Sequence, residues 1–501
     1  MSNAVTLRIT KELSEFAKNP DHQLFLHYDD SNIMNIKAMI TGPPDTPAQS
    51  GIQPRFSLYC LLWTIRYCLG QFEFSLQFPK DYPTNPPKVL ALTTNHGRTR
   101  FNPNIYAGGK VCLSILGTWR GNAGEQWSSA HGITSILLSI QSLMSDMPYR
   151  NEPGHDLEKD LTKLEPYNQK IRHETIRISI CDRLERFLGI NQPLYYNGLT
   201  DASAPSSSSS PSSPLNTTSS SSTLVTPVGT PNSSGTPTLS TPALYEPLTP
   251  LYSSSVSASD EFSDLSKRLF LAYYDIYQHT VQTESAIVKD GTPFYKAPFE
   301  FGGNKMDGTF NYASLAKRLE VIKTTIEKET SEWITQSSQW ISTSSRMSSN
   351  LRRQFEQIRE YYRENNTGGV EVELVDDNPF VWTFTLFGKP MSNYDGGMFR
   401  VQMVFHDSFP EIQPRVKFLT PMYHVHVTSD GMPFYSVDKP DDVRFHMEAI
   451  SRLILEDEPS TNPSTHVNLQ AAKLHFGTKE QRREYNRNAR RCASRSTDYF
   501  E

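Results

Sequence analysis

Residues 101–127, FNPNIYAGGKVCLSILGTWRGNAGEQW, decide how this chain is read. The stretch holds one cysteine, Cys112, placed eight residues after Asn104 of the polar turn Asn102-Pro103-Asn104. Gly108 and Gly109 let the chain reverse tightly before the cysteine, and Val111, Leu113 and Ile115 are apolar anchors around it. A thiolate is a strong nucleophile and a good leaving group, so a cysteine held this way suits acyl transfer through a thioester. Asn104 offers a neutral amide N–H where an oxyanion would form. An isolated cysteine is more often a buried structural residue; the pattern around this one argues for chemistry.

That pattern resembles the ubiquitin-conjugating enzyme family. The family's active-site string appears as Asn102-Pro103-Asn104, then Gly109-Lys110-Val111-Cys112-Leu113, then Trp127-Ser128-Ser129-Ala130. Upstream, Phe78-Pro79-Lys80-Asp81-Tyr82-Pro83 and Asn85-Pro86-Pro87-Lys88-Val89 match its strand-end loop; downstream, residues 136–143 match its central helix. The resemblance covers about residues 6–190 and is strongest to the conjugating enzyme Z branch, which shares the Asn at 102, the long Cys112-to-Trp127 loop and the segment Tyr149–Gly154. It implies an α+β fold, a four-stranded antiparallel meander sheet with flanking helices. It also implies that an activating enzyme hands ubiquitin, or a related modifier, to Cys112, from which a lysine amine takes it. Asn104 would donate to the oxyanion or hold the loop, and Asn151 falls where the family keeps a polar residue beside the incoming lysine, with Glu152 adjacent. Arg8 and Lys11 are the candidates for activating-enzyme contact. Tyr82, Pro86, Pro87, Trp127, Ser128 and Ser129 are those for the ligase, although Ser129 stands where the family has proline. The resemblance calls for no bound metal or nucleotide, because ATP is used by the upstream activating enzyme.

The 501 residues allow two or three domains. A net charge of −5 and a pI near 6.3 give no electrostatic case for nucleic acid. Five cysteines lie far apart without metal-ligand spacing, as expected of reduced thiols in cytoplasm or nucleus. No run of eighteen apolar residues exists to span a membrane, and the N-terminus has no signal-peptide core.

Alternation predicts strands in 23–28, 33–40, 72–76 and 88–92, and helical spacing predicts helices over 6–18 and 133–145. Between the turn at 42–47 and the strand at 72–76, residues 48–70 read as an insertion, apolar and aromatic where a hairpin loop should be short. It is either an extra strand or docking element, or a segment translated from an unremoved intron. Residues 157–188 read as helical with an interruption near Pro166, and Cys181 sits within their apolar pattern. With residues 1–190 as the catalytic domain, 191–258 form a linker. No charged residue occurs from Ala202 to Tyr245, and such a Ser/Thr/Pro tract predicts disorder. Residues 259–348 form a helical extension, polar and weakly helical from 327 onward.

Residues 349–501 repeat the order of the first domain. Strands are expected in 370–375, 380–388 and 398–405, with Tyr394-Asp395-Gly396-Gly397 as a hairpin turn that the first copy lacks. Here His426 takes the place of Asn104 and Phe434 that of Cys112, so no thioester can form, and the repeat reads as an inactive, separable docking module. A metal site at His406, His424 and His426 is the weaker reading. Cys492, among Arg490, Arg491 and Arg495, reads as a surface thiol. The main alternative for the whole chain is a non-catalytic ubiquitin-binding scaffold. A cysteine hydrolase would need a His base, and His131 and His155 lack a supporting acid motif.

Overall fold

In α1 (Asn3–Lys18), Val5, Ile9 and Leu13 recur every four residues and line one buried face. The computed structural model describes residues 3–44, 67, 69–121, 124–190, 260–364, 370–456 and 458–500. After α1 come β1 (Leu24–Tyr28), β2 (Asn35–Thr41), β3 (Gln71–Gln77) and β4 (Lys88–Ala91), an antiparallel meander in sequence order. Side chains alternate across a strand, so Ile36, Ala38 and Ile40 of β2 enter one core with α2 (Ile133–Leu143), while Met39 enters another on the opposite face.

That second core belongs to the helices that follow. The helix α3 (Leu161–Glu174) runs through Pro166, which removes one hydrogen bond near its start without ending it. The irregularity comes later, as π-helical turns over Thr175–Asp182 before α4 (Arg183–Phe187). Then α5 (Ser263–Ile287) and α6 (Tyr312–Thr343) bury Phe270, Tyr273, Tyr277, Leu319, Ile322 and Ile326 against the outer face of the first sheet. Arg183–Glu73 at 2.5 Å and Lys37–Glu261 at 2.7 Å tie the helices to that face. The stretch after 327 is firmly helical, contrary to the sequence reading. Trp333 and Trp340, seven residues apart, give an otherwise polar helix a stripe that packs on Val381, Val404 and Phe380.

A second meander follows α7 (Ser345–Glu364): β5 (Val370–Leu374), β6 (Val381–Phe387), β7 (Met398–Val404) and β8 (Arg415–Phe418), again antiparallel in sequence order. It is closed by α8 (Val443–Leu455), α9 (Leu469–His475) and α10 (Lys479–Ser496).

The two sheets correct one reading. In the second, the Gly388 N–H donates to the Gly397 carbonyl and the Gly397 N–H to that of Tyr394, both at 2.9 Å. In the first, Gly42 donates to Gly70 at 2.8 Å and Gly70 to Tyr67 at 2.6 Å, so Tyr67–Gly70 is the same turn. Tyr67 and Leu69 are buried, and the Tyr67 hydroxyl donates to the Phe101 carbonyl as Tyr394 does to that of Tyr423. The end of the supposed 48–70 insertion is thus part of the hairpin, and the first copy does not lack the turn. Residues 45–66 and the 191–258 linker lie outside the described residues.

Candidate active site

The turn that carries Cys112 is built from backbone bonds that each need a particular residue. Asn102, fully buried, spends its amide on the Leu143 carbonyl at 2.7 Å and accepts the Asn104 N–H at 2.9 Å. Gly109 adopts φ +88° and passes so close to Ala91 that a Cβ would stand 2.7 Å from its carbonyl oxygen. The Cys112 N–H then donates to the Asn104 carbonyl at 2.8 Å, leaving the cysteine 6% exposed.

Asn104 also donates its side-chain amide to the Cys112 carbonyl at 3.0 Å. Of its two expected roles, this geometry is the loop-holding one. Asn151 is engaged too: it donates to the Leu143 carbonyl at 3.0 Å, the same oxygen that Asn102 uses. Glu152 accepts from Arg100 at 3.1 Å. Arg100 is buried, donates to the Pro103 carbonyl and stacks 4.5 Å above the Tyr106 ring. Burial pushes the Tyr106 hydroxyl above its ordinary range, with the Cys112 thiol and Glu152 adding to the effect and Arg100 opposing it. Tyr106 and Arg100 are therefore members of the site that motif matching passed over; their signal is only that both flank the polar turn.

The outer candidates divide. Lys11 stands exposed on α1, beside Glu15 at 3.7 Å. Arg8 is committed internally: it pairs with Glu12 at 2.5 Å and donates to the carbonyls of Ser129 and His131. The Glu12 carboxylate holds the Arg8 guanidinium above its usual range. Tyr82 is 2% exposed, with its hydroxyl on Glu12 at 2.7 Å, so it is a core residue rather than a contact surface. Glu12, which the sequence reading missed, also accepts the Ile133 N–H at 2.9 Å and so caps α2. Pro87 is buried, Pro86 and Trp127 are half-buried, and Ser128 and Ser129 are exposed. The Trp127 indole N–H donates to the Pro83 carbonyl at 2.8 Å, locking the 127–129 loop onto the strand-end loop. Beside it a groove of about 490 Å³ runs between Thr84–Pro86 and Gly117–Arg120, with Trp119 half exposed at its edge.

Neither histidine near the site serves as a base for Cys112. His131 Nδ1 accepts the Ser128 N–H, and the His155 ring packs on Tyr149 and Phe299. Cys181 is fully buried, which pushes its thiol up to about 12. Cys492 is half-buried rather than a surface thiol; burial raises it, and its sulfur donates to the Pro421 carbonyl at 3.1 Å.

The second copy reproduces the frame. The His426 N–H donates to His424 Nδ1 at 3.1 Å, as Asn104 does to Asn102, and the Phe434 N–H donates to the His426 carbonyl at 2.8 Å. Phe434 sits on Tyr273 of α5, with ring centroids 5.6 Å apart, and on His22 at 6.0 Å. Both ring nitrogens of His426 are occupied, by the Thr465 carbonyl and the Ser460 N–H, while His406 lies apart between Trp333 and Trp340. Among the described residues no group of three His, Cys, Asp or Glu side chains is arranged for a metal.

The family model for ubiquitin-conjugating enzyme matches residues 64–175 and 350–493, together more than half of the chain. Ubiquitin-conjugating enzyme E2 Z of Danio rerio is 44% identical over 184 residues, 37% of this chain and 49% of that protein. The Homo sapiens E2 Z is 43% identical over 188 residues, 38% of this chain and 47% of its own length. The human dual E2 ubiquitin-conjugating enzyme/E3 ubiquitin-protein ligase BIRC6 is 35% identical over 187 residues, 36% of this chain and 3% of that protein. The match spans about half the length of the E2 Z relatives.

Proposed function

The chain belongs to the ubiquitin-conjugating enzyme family, and from that premise we propose that Cys112 accepts ubiquitin or a related modifier as a thioester and passes it to lysine, with or without a ligase. The observation that carries this reading is the turn itself, in which Asn102, Asn104 and Gly109 fix the backbone on both sides of one thiol. In the first step the Cys112 thiolate attacks the thioester carbonyl of the charged activating enzyme, and the enzyme's own thiolate leaves. In the second a lysine amine attacks the new carbonyl, the carbon–sulfur bond breaks, the Cys112 thiolate leaves and the amine loses its proton to solvent or a nearby base.

At rest Asn104 holds the Cys112 carbonyl, so its contribution is to keep the thiol presented; donating to an oxyanion requires that bond to open. Asn151, with Glu152 adjacent, is the candidate for the side of the incoming lysine; Asn151 is tied to the Leu143 carbonyl at the end of α2, and Glu152 is joined to Tyr106 through Arg100. Lys11 is the remaining candidate for activating-enzyme contact. A ligase would meet Pro86, Trp127, Ser128, Ser129 and the groove beside Trp119. No bound cofactor is needed, ATP being used upstream, and the cytoplasm or nucleus is the proposed compartment. A non-reducing gel with activating enzyme, ATP and ubiquitin should show a thiol-sensitive adduct, and Cys112→Ser a thiol-resistant one. A labile adduct that persists in Cys112→Ala would sink the assignment and move attention to Cys60 and Cys68.

A further inference from the structure

The connection between α5 and α6, residues 288–311, lies outside both family-matched regions, yet it reaches under the Cys112 turn. We propose that this connection is part of the catalytic unit, with Asn304 as a positioning residue for the turn ahead of Cys112. The proposal rests on Cys112 carrying the thioester.

Three contacts support it. Asn304 Oδ1 accepts the backbone N–H of Ala107 at 3.2 Å. Ala107 is fully buried in the turn that the Tyr106 and Gly109 N–H groups close at 2.9 Å, so Asn304 satisfies a donor of a buried residue that the turn's own backbone bonds leave over. Next, the Phe299 carbonyl accepts from Arg100 Nη1 at 3.2 Å. The same guanidinium binds the Pro103 carbonyl and Glu152 and stacks on Tyr106, so the connection holds the residue that joins Glu152 and Tyr106 to the turn.

The third contact makes the connection a rigid support. Lys170 and Glu300 pair at 2.5 Å with side chains 0% and 1% exposed, and Glu300 also accepts the Ala297 N–H at 3.1 Å. Lys170 donates in addition to the Tyr295 carbonyl at 2.8 Å. The Phe299 ring is wedged against Tyr149 at 5.0 Å and Tyr167 at 5.7 Å. A charge pair this deep is costly to separate, so the 295–300 stretch that leads into Asn304 has little freedom to shift with the turn.

Aminolysis of a thioester depends on where the amine sits relative to the carbonyl, and a misplacement of about 1 Å can cost ~100-fold. A partial loosening of the Tyr106–Gly109 turn should therefore slow discharge. The experiment uses the full chain with Asn304→Ala and Asn304→Asp, the latter keeping an oxygen acceptor for Ala107. Single-turnover discharge to free lysine is expected to fall about 10-fold in the alanine variant, in the maximal rate rather than in half-saturation, and to recover to within about 3-fold in the aspartate variant. Hydrogen exchange should speed up at the Ala107 amide in the alanine variant and return toward the native rate in the aspartate variant. Discharge at the native rate in Asn304→Ala overturns the proposal. So does a loss that tracks a fall in melting temperature and is not restored by aspartate, which would make Asn304 a stability residue only. Absence of any adduct on the native chain would instead overturn the thioester assignment.

Discussion

The two copies of the fold hold the same turn with different side chains. Asn102 and His424 perform one task, accepting a backbone N–H two residues on, with an amide oxygen in the first copy and an imidazole nitrogen in the second. Gly109 and Gly431 share φ values of +88° and +91°. The frame is thus a property of backbone bonds and glycine geometry, while the proposed chemistry rests on two substitutable positions. What faces those positions differs as well. Cys112 stands beside Tyr106, on which Arg100 stacks, whereas Phe434 is packed on Tyr273 and His22, and Ser429 and Asp430 of the same turn bind Asp275 and Lys323. The second copy has turned its would-be active face into an internal contact. Truncation near residue 348 would therefore strip partners from α5 and α6, which makes this copy less separable than its sequence suggests.

The sharpest challenge to this contrast is an exchange of chemistry. Cys112→Phe should reduce charging by at least ~10³-fold, while Phe434→Cys with His426→Asn should gain none, because Tyr273 and His22 cover the new thiol. A labile adduct on the thiol introduced by Phe434→Cys, in a Cys112→Ala background, would show that the second face opens.

A smaller effect is expected when the shared frame is strained. Gly109→Ala and Gly431→Ala each place a Cβ at positive φ, 2.7 Å from the Ala91 oxygen and 2.6 Å from the Phe418 oxygen. Each should cost on the order of 1–3 kcal/mol in urea unfolding. Only the first should also slow charging. Equal charging defects from both would mean that the second copy takes part in the chemistry.

The copies also differ in their response to pH. Burial holds His426 and His446 down to about 4 and His424 well below its ordinary value, all in the second copy. The groups facing His426 are the Thr465 carbonyl, the Ser460 N–H, and the rings of His22, His424 and His466, with His475 acting on it as well. Because the folded values lie below the unfolded one near 6.5, the unfolded chain binds more protons between them. Stability is therefore full above about pH 6.5 and falls as pH drops toward 4, by up to ~1.4 kcal/mol per pH unit for each histidine. Asn102 and Asn104, at the matching positions of the first copy, do not titrate. Urea midpoints followed from pH 7 to 4.5 should decline, and His426→Asn should flatten the slope; a midpoint independent of pH would remove the argument.

Much of this was legible in the chain. Both meanders follow from period-two alternation, and the eight-residue spacing from Asn104 to Cys112 and from His426 to Phe434 aligns the copies without coordinates. The turn at Tyr67–Gly70 was hidden because it adjoins an apolar run with no boundary signal. Tyr82 was misplaced as a surface contact because its partner, Glu12, sits on a different element, and the ties of Arg8 to the Ser129 and His131 carbonyls were hidden by the same separation in sequence. Asn304 was invisible for a stronger reason: its partner is 197 residues away, and no local pattern encodes a hydrogen bond between a loop amide and a distant backbone N–H.

The bond from Gly42 to Gly70 has one more consequence. In the second copy the equivalent turn needs only residues 389–393 between Gly388 and Tyr394, whereas residues 43–66 separate Gly42 from Tyr67 in the first. Loop-closure entropy grows only logarithmically with length, so a freely closing connection of that size costs about 1.4 kcal/mol more than the short one. That is small against the full β2–β3 ladder from Asn35↔Gln77 to Thr41↔Gln71. The hairpin tip is accordingly a place where added chain length carries little entropic cost, set against a ladder that is complete without it.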